Sequence, residues 1–256
     1  MKALLKHAIK DSAVEPGIRW CVKRLRGIRM PYNLVINEIY DRQGSEVIAC
    51  VLDDRSNAVD VGCHKGQYLV DFLKHAPHGH HLAFEPIPDM ARALAEAFPA
   101  VTVHGCALSD KPGEATFFVV PDAPALSGLN ERPFLAPGLE RKAIPVRLAR
   151  LDDIIPPDMR IRLIKVDVEG AEGLVMAGAA ETIRRNRPYI IFEHGGTSSE
   201  AFGIPSDALF RMLRSFGLEI STLKNWLRGG PPLTEDRFVS GQDWYYLAHP
   251  EPRKLT

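Results

Sequence analysis

From residue 57 onward, short apolar runs alternate with stretches of helical period, and this constrains the chain more than anything else in it. Strand followed by helix, repeated, buries its apolar faces as a mostly parallel sheet with helices on both sides, an α/β architecture. The pattern predicts strands over 57–61, 81–85, 101–106, 161–167, 189–193, 217–223 and 243–248, with helices over 67–75, 89–98, 171–186 and 206–216. Residues 115–120 and 144–148 read as an antiparallel pair with a proline-rich excursion between them. No repeat or low-complexity segment breaks the pattern. Residues 46–256 are therefore expected to form one domain, and residues 1–45 a helical extension.

The 256 residues carry 32 Lys+Arg and 32 Asp+Glu, so the formal charge is zero. A nucleic-acid partner usually calls for a basic excess, and this balance argues against one. Residues 1–30 are nevertheless basic, with Lys2, Lys6, Lys10, Arg19, Lys23, Arg24, Arg26 and Arg29 against Asp11 and Glu15. Leu4, Leu5, Ala8 and Ile9 share a helical face there. A solvated amphipathic helix is the plain reading, and contact with an anionic substrate or membrane surface is the other. No apolar run approaches the ~18 residues of a membrane span. Lys6 and Lys10 interrupt the stretch that a secretory leader would keep apolar. Cys21, Cys50, Cys63 and Cys106 lack C-x-x-C spacing, as suits reduced thiols. The expectation is a cytoplasmic protein.

The run Val59-Asp60-Val61-Gly62-Cys63-His64-Lys65-Gly66-Gln67-Tyr68 carries a strand into D-V-G-x-x-x-G and then a helix. Gly62 and Gly66 permit a tight turn and close backbone approach to a ligand. The helix start offers unpaired N–H groups to an anion, and Asp60 at the strand end suits a ligand ammonium. Glu85 closes the next strand, 19 residues beyond Gly66, where an acid can hydrogen-bond ribose hydroxyls. A dinucleotide fingerprint needs G-x-G-x-x-G, and only two of those glycines are present in a wider frame. The form that is present suits S-adenosylmethionine, whose amino-acid end takes the place of the pyrophosphate. A turn without a ligand stays open at this point, as do a nicotinamide-dependent oxidoreductase and a non-catalytic binding module on the same sheet.

Four stretches give the chain a resemblance to the FkbM family of S-adenosylmethionine-dependent methyltransferases: VDVGCHKGQY (59–68), AFEPIPDMARAL (83–94), HGCALSD with GEATFF (104–118), and LDDI leading to LIKVDVEGAEGLVMAGA (151–179). RPYIIFE (187–193) and DWYYLAHP (243–250) extend it. Cys63-His64 stands where that family usually shows Ala-Asn, a change that keeps the backbone role. The resemblance implies a class I methyltransferase (Rossmann-like) fold of seven strands, the last antiparallel. It also implies O-methylation of a hydroxyl on a small metabolite, sugar or glycan. By position, Asp60, Gly62, Cys63, Gly66 and Tyr68 would hold the methionine end and Glu85 the ribose. Cys106, Ala107 and Asp110 would lie near the adenine, and Asp167 would face the sulfonium side.

A hydroxyl needs a base or a Lewis acid to attack a methyl carbon near neutral pH. The motif K-V-D-V-E-G-A-E supplies Lys165, Asp167, Glu169 and Glu172, with Lys165 and Asp167 on one strand face. Glu193 and His194 close the following strand. Asp167, Glu169, Glu193 and His194 are therefore the candidate catalytic residues. Asp167 and Glu193, on neighbouring strand ends, form a candidate Mg²⁺ site of the kind seen in catechol-type O-methyltransferases. Carboxylates that merely cap the next helix are the remaining reading. His75, His78, His80 and His81 are expected in a solvated turn, and Cys63 and Cys106 as packing groups. The excursion 121–145 is a candidate substrate lid, and residues 225–237, with Trp226 and Arg228, a second rim.

Overall fold

The computed structural model describes residues 32–130, 140–195 and 204–250. Most of the expected helical extension, the middle of the proline-rich excursion and residues 196–203 lie outside the described residues. Ala58, Val59, Asp60 and Val61 are all buried, so β1 (Asn57–Val61) has no solvent face and lies inside the sheet. It is followed by α2 (Gln67–His75), β2 (His81–Phe84), α3 (Pro88–Ala97) and β3 (Val101–His104), preceded by α1 (Tyr32–Val51). After a short β4 (Ala107–Leu108) come β5 (Gly113–Val119), β6 (Lys142–Ala149), β7 (Ile161–Val166), α4 (Glu172–Gly178), α5 (Ala180–Asn186) and β8 (Tyr189–Glu193). The described chain ends with α6 (Ser206–Ser215), β9 (Glu219–Thr222), α7 (Leu223–Leu227), α8 (Glu235–Val239) and β10 (Tyr245–His249).

The main sheet has seven strands in the order β3-β2-β1-β7-β8-β10-β9. Pairing is parallel from β3 through β8, and β10 runs antiparallel to both β8 and β9. This is the class I methyltransferase order. Connections reverse direction across the sheet between β1 and β7, and in such sheets a ligand crevice opens beyond the strand ends at the reversal. The register places Asp60 opposite Lys165 and Val61 opposite Val166, which brings the loops after β1 and β7 together at that point. A second sheet, β4-β6-β5, joins β5 and β6 as the expected antiparallel pair.

One apolar core runs under the sheet from Val59 and Phe84 through Ile164 and Val166 to Phe192 and Tyr246. A smaller one, Ala107, Phe117 and Val146 with Ile87 and Leu129 against it, underlies the second sheet. Two compact units divide the chain at residue 42, inside α1. Within the second unit, Val47, Ile48 and Val51 of α1 are buried. There a Cβ on Gly44 would stand 2.5 Å from the Tyr68 hydroxyl oxygen.

Several elements depart from the sequence expectation. The helix over 171–186 is two helices, broken at Ala179 (φ −113°, ψ 10°). The strand over 217–223 shortens, because Gly217 turns at φ +80° and the Thr222 hydroxyl accepts from the Asn225 N–H, starting α7. Trp226, expected on a rim, is buried against Tyr189 and His249. His81, expected in solvent, is also buried, its Nε2 2.9 Å from the Ala76 carbonyl oxygen. No helix among the described residues is long and apolar enough to cross a membrane.

At the end of α4, a Cβ on Gly178 would lie 2.0 Å from the Ser109 carbonyl oxygen, a backbone atom that cannot turn aside. Gly178→Ala is expected to cost about 3 kcal/mol in urea unfolding. At Gly105 the nearest atom would be Ala91 Cβ at 3.9 Å, and Gly105→Ala should stay within about 0.5 kcal/mol.

Candidate active site

β1 runs into its glycine turn at a point where backbone meets backbone. Gly62 has φ +75°, and a Cβ there would fall 1.9 Å from the Asp167 carbonyl oxygen. Only glycine meets both conditions. The Asp167 N–H donates to the Val61 carbonyl (3.0 Å), and the Gly62 N–H donates to that of Phe84 (3.0 Å), tying the turn to β7 and β2. Gly66, also at φ +75°, opens α2 with no side chain capping the helix. Tyr68 is buried in the first turn of α2.

Glu85 lies just beyond β2, buried, with Oε2 accepting from the His64 N–H (3.1 Å) and Oε1 from the Ile87 N–H (3.0 Å). Each oxygen keeps a lone pair for another donor. Burial outweighs these bonds and raises the carboxyl to about 7. Cys63 is buried between Asp60 and Glu85, and burial pushes its thiol well up; it packs rather than reacts. Cys106 and Ala107 follow β3 and are buried, with the Cys106 N–H on the His104 carbonyl (3.0 Å). The Glu85 N–H also donates to His104 (3.1 Å), so the ribose and adenine candidates converge on one strand end. Asp110 stands farther along, exposed on the turn after β4 and accepting from the Ser109 hydroxyl (3.1 Å).

Between the glycine turn and β7 lies a buried ammonium. Lys165 Nζ donates to the Gly62 carbonyl (2.9 Å) and stands 3.4 Å from Asp60 Oδ1 and 3.5 Å from Asp167 Oδ2. Burial pulls Lys165 toward neutrality, but Asp60 and Asp167 more than reverse this and hold it charged. Burial raises Asp60 in spite of Lys165. For Asp167 the opposing effects win: burial pushes up, while Lys165, the Tyr245 hydroxyl (2.7 Å to Oδ2) and Glu193 hold it below its ordinary value.

Asp167, Glu169 and Glu193 present carboxylate oxygens within 4.8 Å of one another. Burial first, then the charges of Asp167, Glu169 and Glu172, push Glu193 well above its ordinary value. The surroundings thus move the two neighbouring carboxyls in opposite directions, Asp167 down and Glu193 up. Glu169 reaches the cluster from a left-handed backbone (φ +59°) followed by Gly170 (φ +105°). Glu172 holds that shape, because its Oε1 accepts from both the Val168 (3.1 Å) and Gly170 (3.0 Å) N–H groups. His194, expected beside the carboxylates, is not in the cluster; its ring stacks on Phe238 with Nε2 2.8 Å from the Ser206 hydroxyl. Successive residues past a strand end point apart, which separates His194 from Glu193.

The candidate lid comes back to this loop. Phe118 and Gly128 exchange N–H···O bonds (2.9 and 3.2 Å), and a Cβ on Gly128 would lie 3.5 Å from Glu169 Cβ. Tyr245 carries no local sequence signal for its place here, and Glu172, one of the acids of the K-V-D-V-E-G-A-E motif, shapes the loop. The signal for Tyr245 is its register opposite Glu193 across an antiparallel pair, which no local pattern announces.

Residues 60–220 match the family model of the methyltransferase FkbM domain. The chain belongs to that family. FkbM relatives include the AMB antimetabolite synthetase AmbE of Pseudomonas aeruginosa, 28% identical over 249 residues, which cover 83% of this chain and 11% of AmbE. The methyltransferase sdnD of Sordaria araneosa is 31% identical over 155 residues, covering 48% of this chain and 60% of sdnD. This FkbM chain thus spans only part of the length of either relative. A solved structure, methyltransferase FkbM of Methylobacillus flagellatus, is 18% identical with a TM-score of 0.46, covering 77% of this chain and 44% of that one.

Glu172 makes the site pH-sensitive in a defined direction. In the fold it keeps its proton up to about pH 7, whereas the unfolded carboxyl ionises near 4.5. The stability it lends is whole below pH 4.5 and drains away as pH rises through 7. A shift of that size corresponds to about 3 kcal/mol. Glu172→Gln keeps the acceptor oxygen and cannot ionise, so urea unfolding should show it losing less stability than the wild type from about pH 5 to about pH 8.

Proposed function

We propose that this FkbM methyltransferase transfers a methyl group from S-adenosylmethionine to a hydroxyl of a small metabolite, sugar or glycan. The observation that carries the reading is the cluster of Asp167, Glu169 and Glu193, whose carboxylate oxygens lie within 4.8 Å of one another across the sheet reversal from the glycine turn and Glu85. The donor residues fit the cofactor: Glu85 retains acceptor capacity on both oxygens, and α2 begins uncapped behind two positive-φ glycines. S-adenosylmethionine supplies a methyl group activated by its sulfonium.

The residues supply placement and proton handling. Glu85 would accept from ribose hydroxyls, the backbone from Gly62 to Tyr68 would hold the methionine end, and Cys106 and Ala107 would flank the adenine. Asp60 lends its charge from within, and Asp110 would reach the adenine only from the rim. Asp167, held on Oδ2 by Tyr245 and Lys165, would take the proton of the acceptor hydroxyl as its oxygen bonds the methyl carbon and the sulfur–methyl bond breaks, leaving S-adenosylhomocysteine. Glu193 and Glu169 orient the hydroxyl. A small-metabolite acceptor accords with the antimetabolite synthetase name of AmbE.

A second reading gives the three carboxylates a hard cation, because their oxygens lie close enough for Asp167 and Glu193, with Glu169, to hold Mg²⁺ and polarise the hydroxyl. Lys165 and Tyr245 already engage Asp167 Oδ2, which favours the metal-free site.

Calorimetric titration with S-adenosylhomocysteine tests the cofactor. Binding is expected, with about 2.7 kcal/mol added stability at 100 times Kd; no binding would leave a non-catalytic module. The ionised Glu85 is the stronger acceptor for ribose hydroxyls, so affinity should weaken as pH falls below about 7, by up to about tenfold per unit, and Glu85→Gln should flatten the dependence. Incorporation of labelled methyl into a panel of sugars and hydroxy acids should fall at least about 100-fold in Asp167→Asn. It should also survive EDTA; loss restored by Mg²⁺ would favour the metal.

A further inference from the structure

Asp60 has no exposed surface, and neither of its carboxylate oxygens meets a hydrogen-bond donor among the described residues besides the ammonium of Lys165 at 3.4 Å. In this arrangement Asp60 presents no surface to a ligand. It acts through what it holds, and what Asp60 holds is Lys165. The Lys165 ammonium in turn meets three parts of the site: the Gly62 carbonyl at 2.9 Å, Asp167 Oδ2 at 3.5 Å and the ring of Tyr68 at 5.6 Å from its centroid.

The contact with Gly62 is the informative one. The Gly62 carbonyl belongs to the first peptide of the turn, at a glycine whose backbone has wide freedom to rotate. The backbone bond before it, from the Asp167 N–H to the Val61 carbonyl, fixes where the turn begins but not which way the Gly62 carbonyl points. Lys165 fixes that direction, inward. The Cys63 N–H of the same peptide then lies against the Phe84 carbonyl (3.4 Å), and the His64 N–H reaches Glu85 Oε2. A rotated Gly62 peptide would break the Cys63 bond and disturb the His64 N–H beyond it, while Glu85 keeps its Oε1 on the Ile87 N–H.

We infer that Lys165 is the positioning residue of the cofactor site: through the Gly62 carbonyl it sets the shape of the turn from Gly62 to Gly66, and Asp60 serves the ligand only by anchoring Lys165. This rests on the cofactor reading above. It separates the two charges that sequence reasoning would weigh equally, giving Lys165 an effect on ligand affinity and Asp60 little effect of its own.

Calorimetry with S-adenosylhomocysteine and thermal unfolding of the full chain test this in four proteins: wild type, Asp60→Asn, Lys165→Met and the double variant. Asp60→Asn leaves Lys165 paired with Asp167 and Gly62, and should hold affinity within about threefold. Lys165→Met removes a charged donor and should weaken binding at least about tenfold. It also strands a buried carboxylate and lowers Tm, which the double variant should recover without recovering affinity. Recovery of both by the double variant would make Lys165 a mere counter-ion and overturn the inference. So would a loss in Asp60→Asn larger than in Lys165→Met, because Asp60 would then act on the ligand by a route other than Lys165. Should neither Lys165 variant fold, Lys165→Arg keeps the charge but not the compact ammonium on the Gly62 carbonyl; weakened binding is expected, and unchanged affinity would overturn the inference. Absence of binding by the wild type would remove the cofactor reading, and this inference with it.

Discussion

A positive charge enclosed between two carboxylates at adjacent strand ends is the interaction on which the rest of the site depends. Isolated, the Lys165 ammonium would not survive burial; flanked by Asp60 and Asp167 it does. Asp60 and Lys165 are direct partners in the β1–β7 register, so the pairing of these strands is fixed by charge as well as by apolar pattern. A slip of one residue would point Lys165 at the opposite face of the sheet, against the apolar helix layer. The glycine turn can then press against the Asp167 backbone only because Gly62 has no side chain.

From this centre the acids sort themselves. Asp167, beside the ammonium and bonded by the Tyr245 hydroxyl, is pulled toward ionisation, and Glu193 beyond it is pushed the other way, by burial first and then by its neighbours' charges. Two like groups in contact cannot both ionise at low cost, and the asymmetry of their surroundings decides which one does. Glu172 is excluded from this division by geometry. Its oxygen is spent on two backbone N–H groups, which bend the chain so that Glu169 can join.

Much of this was legible in the chain. Strand β1, helix α2 and strand β8 begin and end where apolar pattern, glycine and proline place them, because those signals are local. Asp60, Gly62, Gly66 and Glu85 declared themselves by spacing. What was not legible depends on contacts between distant segments. The new start after Ala179 is held by Asp152, whose two carboxylate oxygens accept from the Glu181 and Thr182 N–H groups (3.0 and 2.8 Å). The fate of His194 was decided by Phe238 and Ser206, and the importance of Tyr245 by its place opposite Glu193. Trp226 looked like a rim residue because its neighbours Arg228, Gly229 and Gly230 are polar or small, yet the turn of α7 carries it inward.

The bridge between Phe118 and Gly128 has an evolutionary meaning. The excursion it closes is rooted in the small sheet, which has its own core, and comes to the main domain at Glu169 rather than at the glycine turn. A change in its length or sequence would be felt first at Glu169, and at Glu85 only through Leu129 and Ile87, so the acceptor side could be reshaped with the glycine turn left as it is.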